Sequence, residues 1–266
     1  PAALICHYCS RRIRYTNACP VCHEHRVAPS GTGTQAVVDE VDRIYPRAGT
    51  IRWDRDVART ARAHEEILST FLDGNERVLV GTQMVAKGLD IPSVELVGVI
   101  SADTALSIPD FRSGERTFQI LTQVAGRAGR GNNRGDVIMQ TFQPDHYAIQ
   151  AAVEQDFDAF YRTEIKLRRS HANPPFTSIV RLGIGDPNAD TAQSEAFEFA
   201  DLLRRASTAS GIESVQILGP SPSFPMRMRG VHRWHILLKG IWPLDLLDQV
   251  QLPHGWSVDV DPVSVA

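Results

Sequence analysis

The spacing of apolar and polar residues divides the chain into two regions, which differ in how strands and helices follow one another. In the first region, short apolar strands alternate with segments whose apolar residues recur every three or four positions, as on one helix face. Such alternation predicts an α/β fold, in which helices cover both faces of a parallel sheet. The predicted strands cover residues 50–53, 78–81, 96–100 and 136–141, and helices are predicted over 36–44, over 57–72 and through Phe118 and Leu121.

The second region follows a linking helix that is predicted over residues 142–170, with an apolar stripe that includes Phe157, Phe160 and Tyr161. The pair Pro174-Pro175 marks the boundary, because two successive prolines cannot continue a helix. From residue 177 onward the pattern reads strand, helix, strand, strand, helix, strand, which predicts a small α+β sandwich. We expect its long helix, at about residues 191–210, to bury four large side chains: Phe197, Phe199, Leu202 and Leu203.

The turn before the first helix carries glycines and threonines, which predict a helix cap. The run Asp39-Glu40-Val41-Asp42 imitates the acidic box of a nucleotide-binding site. We reject that reading, because such a carboxylate ends a buried strand and this run lies inside a predicted helix. The sequence also contains no G-x-x-x-x-G-K-[ST] phosphate-binding loop.

Composition leaves the choice of partner open. A hydrophobic content of 42% and a charged content of 22% are ordinary for a globular protein, and no apolar run is long enough to span a membrane, so we expect no membrane partner. The net charge of −3 over 266 residues does not indicate nucleic acid. Any DNA contact must therefore come from local basic patches.

All cysteines fall within the first 22 residues, in two C-x-x-C pairs: Cys6, Cys9, Cys19 and Cys22. Each pair has the spacing of a zinc knuckle, in which a tight turn points two thiolates at one ion. The pattern favours a metal over disulfides and predicts a cytoplasmic protein, with a redox pair or free thiols as the alternative. Because four cysteines complete a tetrahedral site, we expect the neighbouring histidines on the surface: His7, His23 and His25.

A stretch with the chemistry of phosphate binding follows the predicted strand 78–81. It offers the hydroxyl of Thr82, the ammonium of Lys87, the bare backbone of Gly88 and the carboxylate of Asp90. Such groups contact phosphates and a ribose. For Thr82, a cap at the strand end is the alternative reading.

Further along, Arg127 and Arg130 stand three positions apart in a frame of small residues that begins at Gln123. This spacing places both guanidinium groups on one face of a helix or helical turn. Gly126 and the neighbouring alanines let another surface, or a nucleotide, come close. A solvated helix face is the alternative reading of the two arginines.

Together, the two stretches resemble motifs V and VI of superfamily 2 helicases, which lie in the second RecA-like lobe. The run from Ile108 to Arg116, which contains Pro-Asp-Phe-Arg, narrows the resemblance to the primosomal protein N′ (PriA) family of replication-restart helicases. The sequences GTGTQ at 31–35 and RWHILLKG at 233–240 are similar to further signatures of that family. The resemblance therefore extends over nearly the whole chain.

The resemblance implies three domains: a partial zinc-binding region (1–28), a RecA-like C-terminal helicase lobe (29–170) and a PriA-type C-terminal α+β domain (171–266). It implies that Arg127 and Arg130 stabilise charge on the γ-phosphate of ATP while Gln123 orients near them. The other implied nucleotide contacts are Gly88, Asp90 and Gly126, with Asp90 on the ribose. Thr82 and Lys87 suit a DNA phosphate.

The resemblance also complicates the metal site. Proteins of this family carry four nested cysteine pairs that bind two zinc ions, and the pairs here match the last two. Each would then serve a different ion without its upstream partner pair. The chain would bind one zinc in a non-native arrangement, or none.

Two basic clusters admit two readings each. Arg229, Arg233 and Trp234 suit nucleic acid, through phosphate pairing and base stacking, but they also suit a solvated edge hairpin. The set Arg112, Glu115 and Arg116 belongs to the family signature, but its chemistry also fits a surface ion-pair set. We expect Arg116 on an exposed face of its helix.

The chain is therefore predicted to be the C-terminal part of an ATP-dependent 3′-to-5′ DNA helicase that recognises stalled forks and initiates primosome assembly. The implied cofactors are zinc and ATP with magnesium, and the implied partners are forked and single-stranded DNA, single-strand-binding protein and other primosome proteins. Without Walker A and B motifs, the chain alone is expected to be inactive. The alternatives are a non-catalytic DNA-binding or assembly module and another superfamily 2 enzyme; the intact arginine motif argues against the first and the Pro-Asp-Phe-Arg run against the second.

Overall fold

The computed structural model describes residues 3–5, 12–14, 18, 22–24, 33–54, 56–82, 85, 91, 93–126 and 135–265. The chain forms two compact units, which we name after their sheets. The parallel unit comprises the described residues of Asn17–Ala102 and Phe118–Gln155, and the antiparallel unit comprises Asp103–Thr117, Asp156–Ala266 and the described residues before 17. In the described part of the chain, no helix is long and apolar enough to cross a membrane.

The parallel unit contains two parallel strand pairs, as the alternating pattern predicted. Strand β3 (Thr50–Trp53) pairs with β4 (Val78–Gly81), and β5 (Leu96–Val99) pairs with β6 (Asp136–Met139). Helices α1 (Thr34–Ile44) and α2 (Ala61–Leu72) belong to the β3–β4 pair, and α4 (Tyr147–Glu154) follows β6. A small core holds the β3–β4 pair against α2, with Trp53, Ala58 and Ile67 buried.

Helices α1 and α2 begin at other residues than predicted. Helix α1 begins at Thr34 with Gly33 as its N-cap, and it has no side-chain cap because glycine has no side chain, while the Thr34 hydroxyl donates to Asp54. Helix α2 begins at Ala61, where Thr60 accepts from the backbone N–H of Ala63. Residues 39–42 lie inside α1 and not at the end of a strand, so they are not the acidic box of a nucleotide-binding site, as predicted.

A short 3₁₀ turn, Ala102–Thr104, leads towards helix α3 (Ser113–Ala125). Phe118 and Leu121 lie inside α3, as predicted, and both are buried. Their burial anchors the middle of the helix.

The predicted linking helix is two helices, α4 and α5 (Phe157–Ser170), separated by Gln155 with a left-handed backbone (φ 54°). The Asp156 carboxylate caps α5 by accepting from Ala159. Only part of the predicted apolar stripe is buried: Phe160 is inside, whereas Phe157 and Tyr161 stack on each other at the exposed helix surface. The predicted domain boundary after residue 170 falls inside the antiparallel unit.

From residue 177 onward, the elements follow the predicted order of strand, helix, strand, strand, helix, strand. The sheet of the antiparallel unit runs β10 (Ser257–Val260), β7 (Ser178–Asp186), β9 (Val231–Gly240), β8 (Gln216–Met228), and all neighbours are antiparallel. Helices α6 (Ala189–Ser210) and α7 (Pro243–Leu247) pack on this sheet, and β1 (Ala3–Ile5) with β2 (Arg12–Arg14) forms a separate antiparallel pair.

The main core of the antiparallel unit lies between α6 and one face of its sheet. Alternate residues of β7 and β9 point into it, as the two-residue period of a strand requires, and Phe199 and Leu203 of α6 meet them. The prediction that Phe197 and Leu202 are also buried is wrong, because both are exposed. Residues four apart share a helix face, so Phe199 and Leu203 face the sheet while the other two lie outside that stripe.

Candidate functional site

The carboxyl ends of β3 and β4 form one edge of the parallel unit. The two strands are in register at Trp53 and Gly81, so Asp54 and Thr82 follow at the same edge. A Cβ atom on Gly81 would lie 2.4 Å from the Trp53 carbonyl oxygen, so only glycine permits this approach. Ligands of parallel sheets bind beyond such an edge. This edge is therefore the first part of the candidate site.

Asp54 is the buried acidic group at this edge. Its Oδ2 accepts from the Thr34 hydroxyl at 2.5 Å and from Arg52 Nε at 2.6 Å. Its Oδ1 accepts from the backbone N–H groups of Asp56 and Val57 at 2.9 and 3.2 Å. The Thr34 hydrogen bond, then those from Arg52 and the backbone, outweigh burial and lower the pKa of Asp54 from 3.8 to about 2.

From the sequence alone, the run Asp54-Arg55-Asp56 has two readings, a pattern of the resembled family or the capped start of a helix. The second is wrong for α2, because Asp54 closes a turn and α2 begins later, at Ala61, with Thr60 as its cap. The sequence did not predict the contacts of Asp54 with Thr34 and Arg52. The packing of α1 beside β3 brings Thr34 to Asp54, although the two residues are 20 positions apart in sequence.

The phosphate-binding stretch is described only in part. Thr82 is exposed, and its carbonyl oxygen accepts from the N–H of Val85 at 3.0 Å, which starts a turn directly after β4. Lys87, Gly88 and Asp90 lie outside the described residues. The predicted roles of all four residues stay predictions.

Helix α3 leads directly into the arginine motif. Gln123 is exposed in its last turn, and the N–H of Gly126 donates to the Thr122 carbonyl at 3.0 Å. Arg127 and Arg130 lie outside the described residues. Because α3 ends at Ala125, its last turn sets where the arginine motif begins.

The run that contains Pro-Asp-Phe-Arg is not a surface ion-pair set. Asp110 is buried and lies 3.1 Å from Arg116 Nη1, and Arg112 Nη1 donates to the Pro262 carbonyl at 2.6 Å. The expectation that Arg116 lies on an exposed face is wrong, since three quarters of its side chain is covered, 26% remaining exposed. The cause is a segment 147 positions later, whose Val263 carbonyl accepts from Arg116.

Glu115 is also tied into the antiparallel unit. Its carboxylate accepts from Arg168 Nη2 at 2.6 Å, and Glu164 accepts from Arg168 Nε at 2.6 Å. Burial opposes the charge of Arg168, but the two carboxylates outweigh it and raise its pKa. The guanidinium also lies 5.3 Å from the ring centre of Phe111. The family signature in this run thus has a structural role inside one unit.

The basic cluster of the antiparallel unit divides into surface and core residues. Strands β8 and β9 meet at the turn Arg229-Gly230, where both residues have positive φ (51° and 86°), as a two-residue hairpin turn requires. Arg229 is exposed at this tip and Arg233 is partly exposed on β9. These two side chains remain candidates for DNA phosphate.

The prediction that Trp234 stacks on a base is wrong. The residue is only 7% exposed, and it lies in the main core beneath the edge of Phe197, with ring centres 5.9 Å apart. The strand alternation explains this, because Trp234, Ile236 and Leu238 share the face that α6 covers.

The zinc prediction falls mainly outside the described residues. Cys6, Cys9 and Cys19 are among those not described, and Cys22 is exposed with a free thiol. Within the described ranges, no group of three or more histidine, cysteine or acidic side chains could hold a metal ion. The residues that are described do not by themselves fit a zinc ion.

Two family models match the chain. The helicase conserved C-terminal domain matches residues 54–132, from the carboxyl end of β3 through the arginine motif. The primosomal protein N C-terminal domain matches residues 169–263, which include the whole antiparallel sheet. The order of the two matches agrees with the resemblance seen in the sequence.

Curated relatives share the name replication restart protein PriA. The protein of Bacillus subtilis (strain 168) is 42% identical over 236 residues, which cover 89% of this chain and 29% of the relative. The protein of Synechocystis sp. is 36% identical, and the match covers 98% of this chain and 32% of that relative. The protein of Treponema pallidum is also 36% identical, and the match covers 99% of this chain and 41% of that relative. The chain thus spans about a third of the length of these relatives, and it belongs to the PriA family of replication restart proteins.

Proposed function

We propose that this chain is the C-terminal part of an ATP-dependent 3′-to-5′ DNA helicase, which recognises stalled replication forks and initiates primosome assembly. One observation supports the proposal: in sequence, motif V follows β4 and motif VI begins in the last turn of α3, and both fall within the segment that matches the helicase C-terminal domain. Loops beyond parallel strands are where nucleotides and nucleic acids bind in such folds.

The nucleotide is bound by residues after β4 and after α3. Arg127 and Arg130 pair with the γ-phosphate oxygens, and Gln123, exposed in the last turn of α3, orients near them. Gly88 and Gly126 let the nucleotide approach the backbone, and Asp90 accepts from a ribose hydroxyl. ATP with magnesium supplies the phosphoryl-transfer chemistry when it is bound. The chain's own contribution is to place fixed positive charge where negative charge develops.

DNA is bound at two places. Thr82, exposed after β4, and Lys87 contact a phosphate of the tracked strand, and Arg229 and Arg233 contact phosphates from the β8–β9 hairpin. These contacts position the nucleic acid without reading its sequence. Trp234 has no part in this, because its ring is in the core.

The remaining parts of the proposal concern metal, partners and location. Zinc is bound by the thiolates of Cys6, Cys9, Cys19 and Cys22. The partners are forked DNA, single-strand-binding protein and other primosome proteins, and the protein acts in the cytoplasm. The proposed domains are 1–28, 29–170 and 171–266. Elemental analysis of the purified 266-residue chain tests the metal: we expect one zinc or fewer per chain, and two tightly held ions would contradict the nested pairing.

The decisive experiment compares the full-length protein with this chain alone. The full-length protein should hydrolyse ATP when DNA is added and displace a strand in the 3′-to-5′ direction. The chain alone should release no phosphate, because its sequence lacks the lysine loop and the magnesium ligands of phosphoryl transfer. A full-length protein that binds forks but never hydrolyses ATP would instead establish the non-catalytic assembly module.

A further inference from the structure

The carboxylate of Asp110 is the centre of a buried polar network in the antiparallel unit. Its Oδ2 accepts from the Ser264 hydroxyl at 2.8 Å and from the Val265 N–H at 3.2 Å, and it lies 3.1 Å from Arg116 Nη1. Its Oδ1 accepts from the N–H of Arg112 at 2.9 Å. The side chain is 0% exposed, so each of these partners offsets the cost of burying a charge.

The same network holds the segment 262–265 through its backbone. Arg112 Nη1 donates to the Pro262 carbonyl at 2.6 Å, and Arg116 Nη2 donates to the Val263 carbonyl. Guanidinium groups present fixed, planar donors, so two of them on two successive carbonyls fix both the direction and the register of the segment.

An apolar cluster holds the other side of the segment. Val265 is buried against Ile179 of β7 and Leu237 of β9, and Phe111 packs beside them. The segment is therefore attached to the sheet by packing and to residues 110–116 by directed polar contacts. Residues 110–116 are thus attached to the antiparallel sheet through the segment 262–265.

Those residues are also the beginning of α3. The Asp110 carbonyl accepts from the N–H of Ser113 at 3.0 Å, and the Arg112 carbonyl accepts from that of Arg116 at 2.8 Å. Gln123 lies seven residues after Arg116, which is two helical turns and about 10 Å along the axis at 1.5 Å per residue. A shift or rotation at the first turn of a continuous helix therefore reappears at its last turn.

We propose that Asp110, Arg116 and Ser264 form a lock that positions the first turn of α3, and through this continuous helix Gln123 in its last turn, for nucleotide hydrolysis. This inference rests on the proposed helicase function. The three are positioning residues, because they touch other parts of the chain and not the nucleotide. A displacement of about 1 Å at reacting groups costs on the order of 100-fold in rate, so a small change in the lock has a large effect.

The composition of the lock argues for positioning rather than for stability alone. Replacing a buried ion pair by well-packed apolar residues is often neutral or stabilising, so stability by itself does not require Asp110 and Arg116. The hydrogen bonds to the backbone of Val263 and Val265 fix the position of α3 along its own axis. An apolar contact would instead allow the helix to slide along that axis.

The test uses Asp110→Asn, Arg116→Gln and the double variant in the full-length protein. We expect the kcat for DNA-stimulated ATP hydrolysis to fall about 10- to 100-fold in each single variant, with KM for ATP and the Kd for forked DNA within about threefold of wild type. The kcat of the double variant should be no lower than that of either single variant, because the effects of substituting two partners that act as one unit do not add. The matched control is Arg62→Gln, which breaks the exposed Arg62–Glu66 pair and should change nothing.

Ser264→Ala is the milder variant, because it removes one donor and leaves the ion pair in place. We expect a fall in kcat of at least about threefold with a melting temperature only slightly lower than that of the wild type, because one hydrogen bond contributes little net stability. This variant decides the question if Asp110→Asn does not fold. A lower melting temperature with wild-type kcat in Asp110→Asn, or wild-type kcat in Ser264→Ala, would overturn the lock. If Arg127→Ala abolishes hydrolysis while the lock variants keep it, the helicase function stands and only the lock fails. If the wild type hydrolyses nothing, both fail.

Discussion

The strands of the parallel unit are four residues long, and Thr82 follows one of them directly. In the antiparallel unit, β7, β8 and β9 have 9, 13 and 10 residues, and their sheet contains buried polar side chains. Thr82 and Gln123 are exposed, whereas Ser223 and His235 are buried and contact each other at 3.2 Å. Arg181 Nη2 donates to the same Ser223 hydroxyl at 3.0 Å.

Apolar residues show the same contrast. In the parallel unit Leu96 is 60% exposed and Ile138 is 63% exposed, whereas Val180 and Leu182 of the antiparallel unit are completely buried. Folding free energy should therefore concentrate in the antiparallel unit, and chemistry in the loops of the parallel unit. Core substitutions in the antiparallel unit should therefore lower stability most, and substitutions in the loops of the parallel unit should lower catalysis most. The following predictions test that contrast.

The largest expected effect is on catalysis. Arg127→Ala or Arg130→Ala in the full-length protein should lower ATP hydrolysis by roughly 10³–10⁵ and abolish unwinding, because an arginine finger contributes that much to phosphoryl transfer. This corresponds to about 4–7 kcal/mol of barrier. Fork binding in a gel-shift assay should remain close to wild type, and lysine should not rescue, since it lacks the planar fork.

The control for the arginine motif is Arg62→Ala on the exposed surface of α2. Arg116 is unsuitable as a control, because it belongs to the buried network around Asp110. If both motif variants keep hydrolysis within about tenfold of wild type, a loss of only about 1.4 kcal/mol, the motif does not touch the γ-phosphate.

The second prediction concerns stability in the antiparallel unit. Trp234→Ala should lower the free energy of unfolding by about 3–5 kcal/mol, because it removes a large buried ring from the main core. Urea titration of the 266-residue chain, followed by circular dichroism, measures the change. Trp242→Ala is the matched control, since Trp242 is 72% exposed and its loss should cost little. Equal, small effects of both would mean that Trp234 is not a core residue.

The third prediction concerns the pH dependence of the parallel unit. The pKa of Asp54 is lowered from 3.8 to about 2, so its contribution is complete above about pH 4 and is lost as the pH falls towards 2. Asp54→Asn should lower the free energy of unfolding by about 2 kcal/mol at pH 7 and by almost nothing near pH 2.

The control for Asp54 is Asp56→Asn, whose carboxylate is 83% exposed beside the same Arg52 and should contribute little. Denaturant titrations at several pH values between 7 and 2 give the comparison. A stability difference between wild type and Asp54→Asn that does not shrink with acid would contradict the assignment of the lowered pKa.

The smallest expected effect is on DNA binding by the hairpin. Arg229→Ala and Arg233→Ala should each weaken fork binding modestly and reduce the slope of log affinity against log salt by about 1. The slope is measured by fluorescence anisotropy between low and moderate salt. Arg204→Ala, at an exposed pair on α6, should leave the slope unchanged. If the hairpin variants also leave it unchanged, the hairpin is a solvated edge.

Predictions from the sequence succeeded where the signal is local and periodic. Strands were predicted correctly at β3, β4, β5 and β9, and the order of the elements after residue 177 was correct. The prediction of burial failed where apolar residues lie on more than one face of a helix, as for Phe197 on α6. The prediction of contacts failed where a polar residue forms a hydrogen bond with a residue distant in sequence, as for Thr34. Periodicity identifies a face but does not say how much of it a neighbour covers.

By itself, the sequence determined the alternation of strands and helices before residue 142, the order of the elements after residue 177 and the motifs that identify the family, because each of these depends on residues close together along the chain. Only the tertiary structure decided that Trp234 is a core residue and that Arg116 donates to the Val263 carbonyl instead of lying on an exposed face. Both results come from contacts between residues far apart in sequence, where burial and geometry, rather than residue type, determine what a side chain does. Arg116 and Val263 are 147 positions apart, and no local pattern links them.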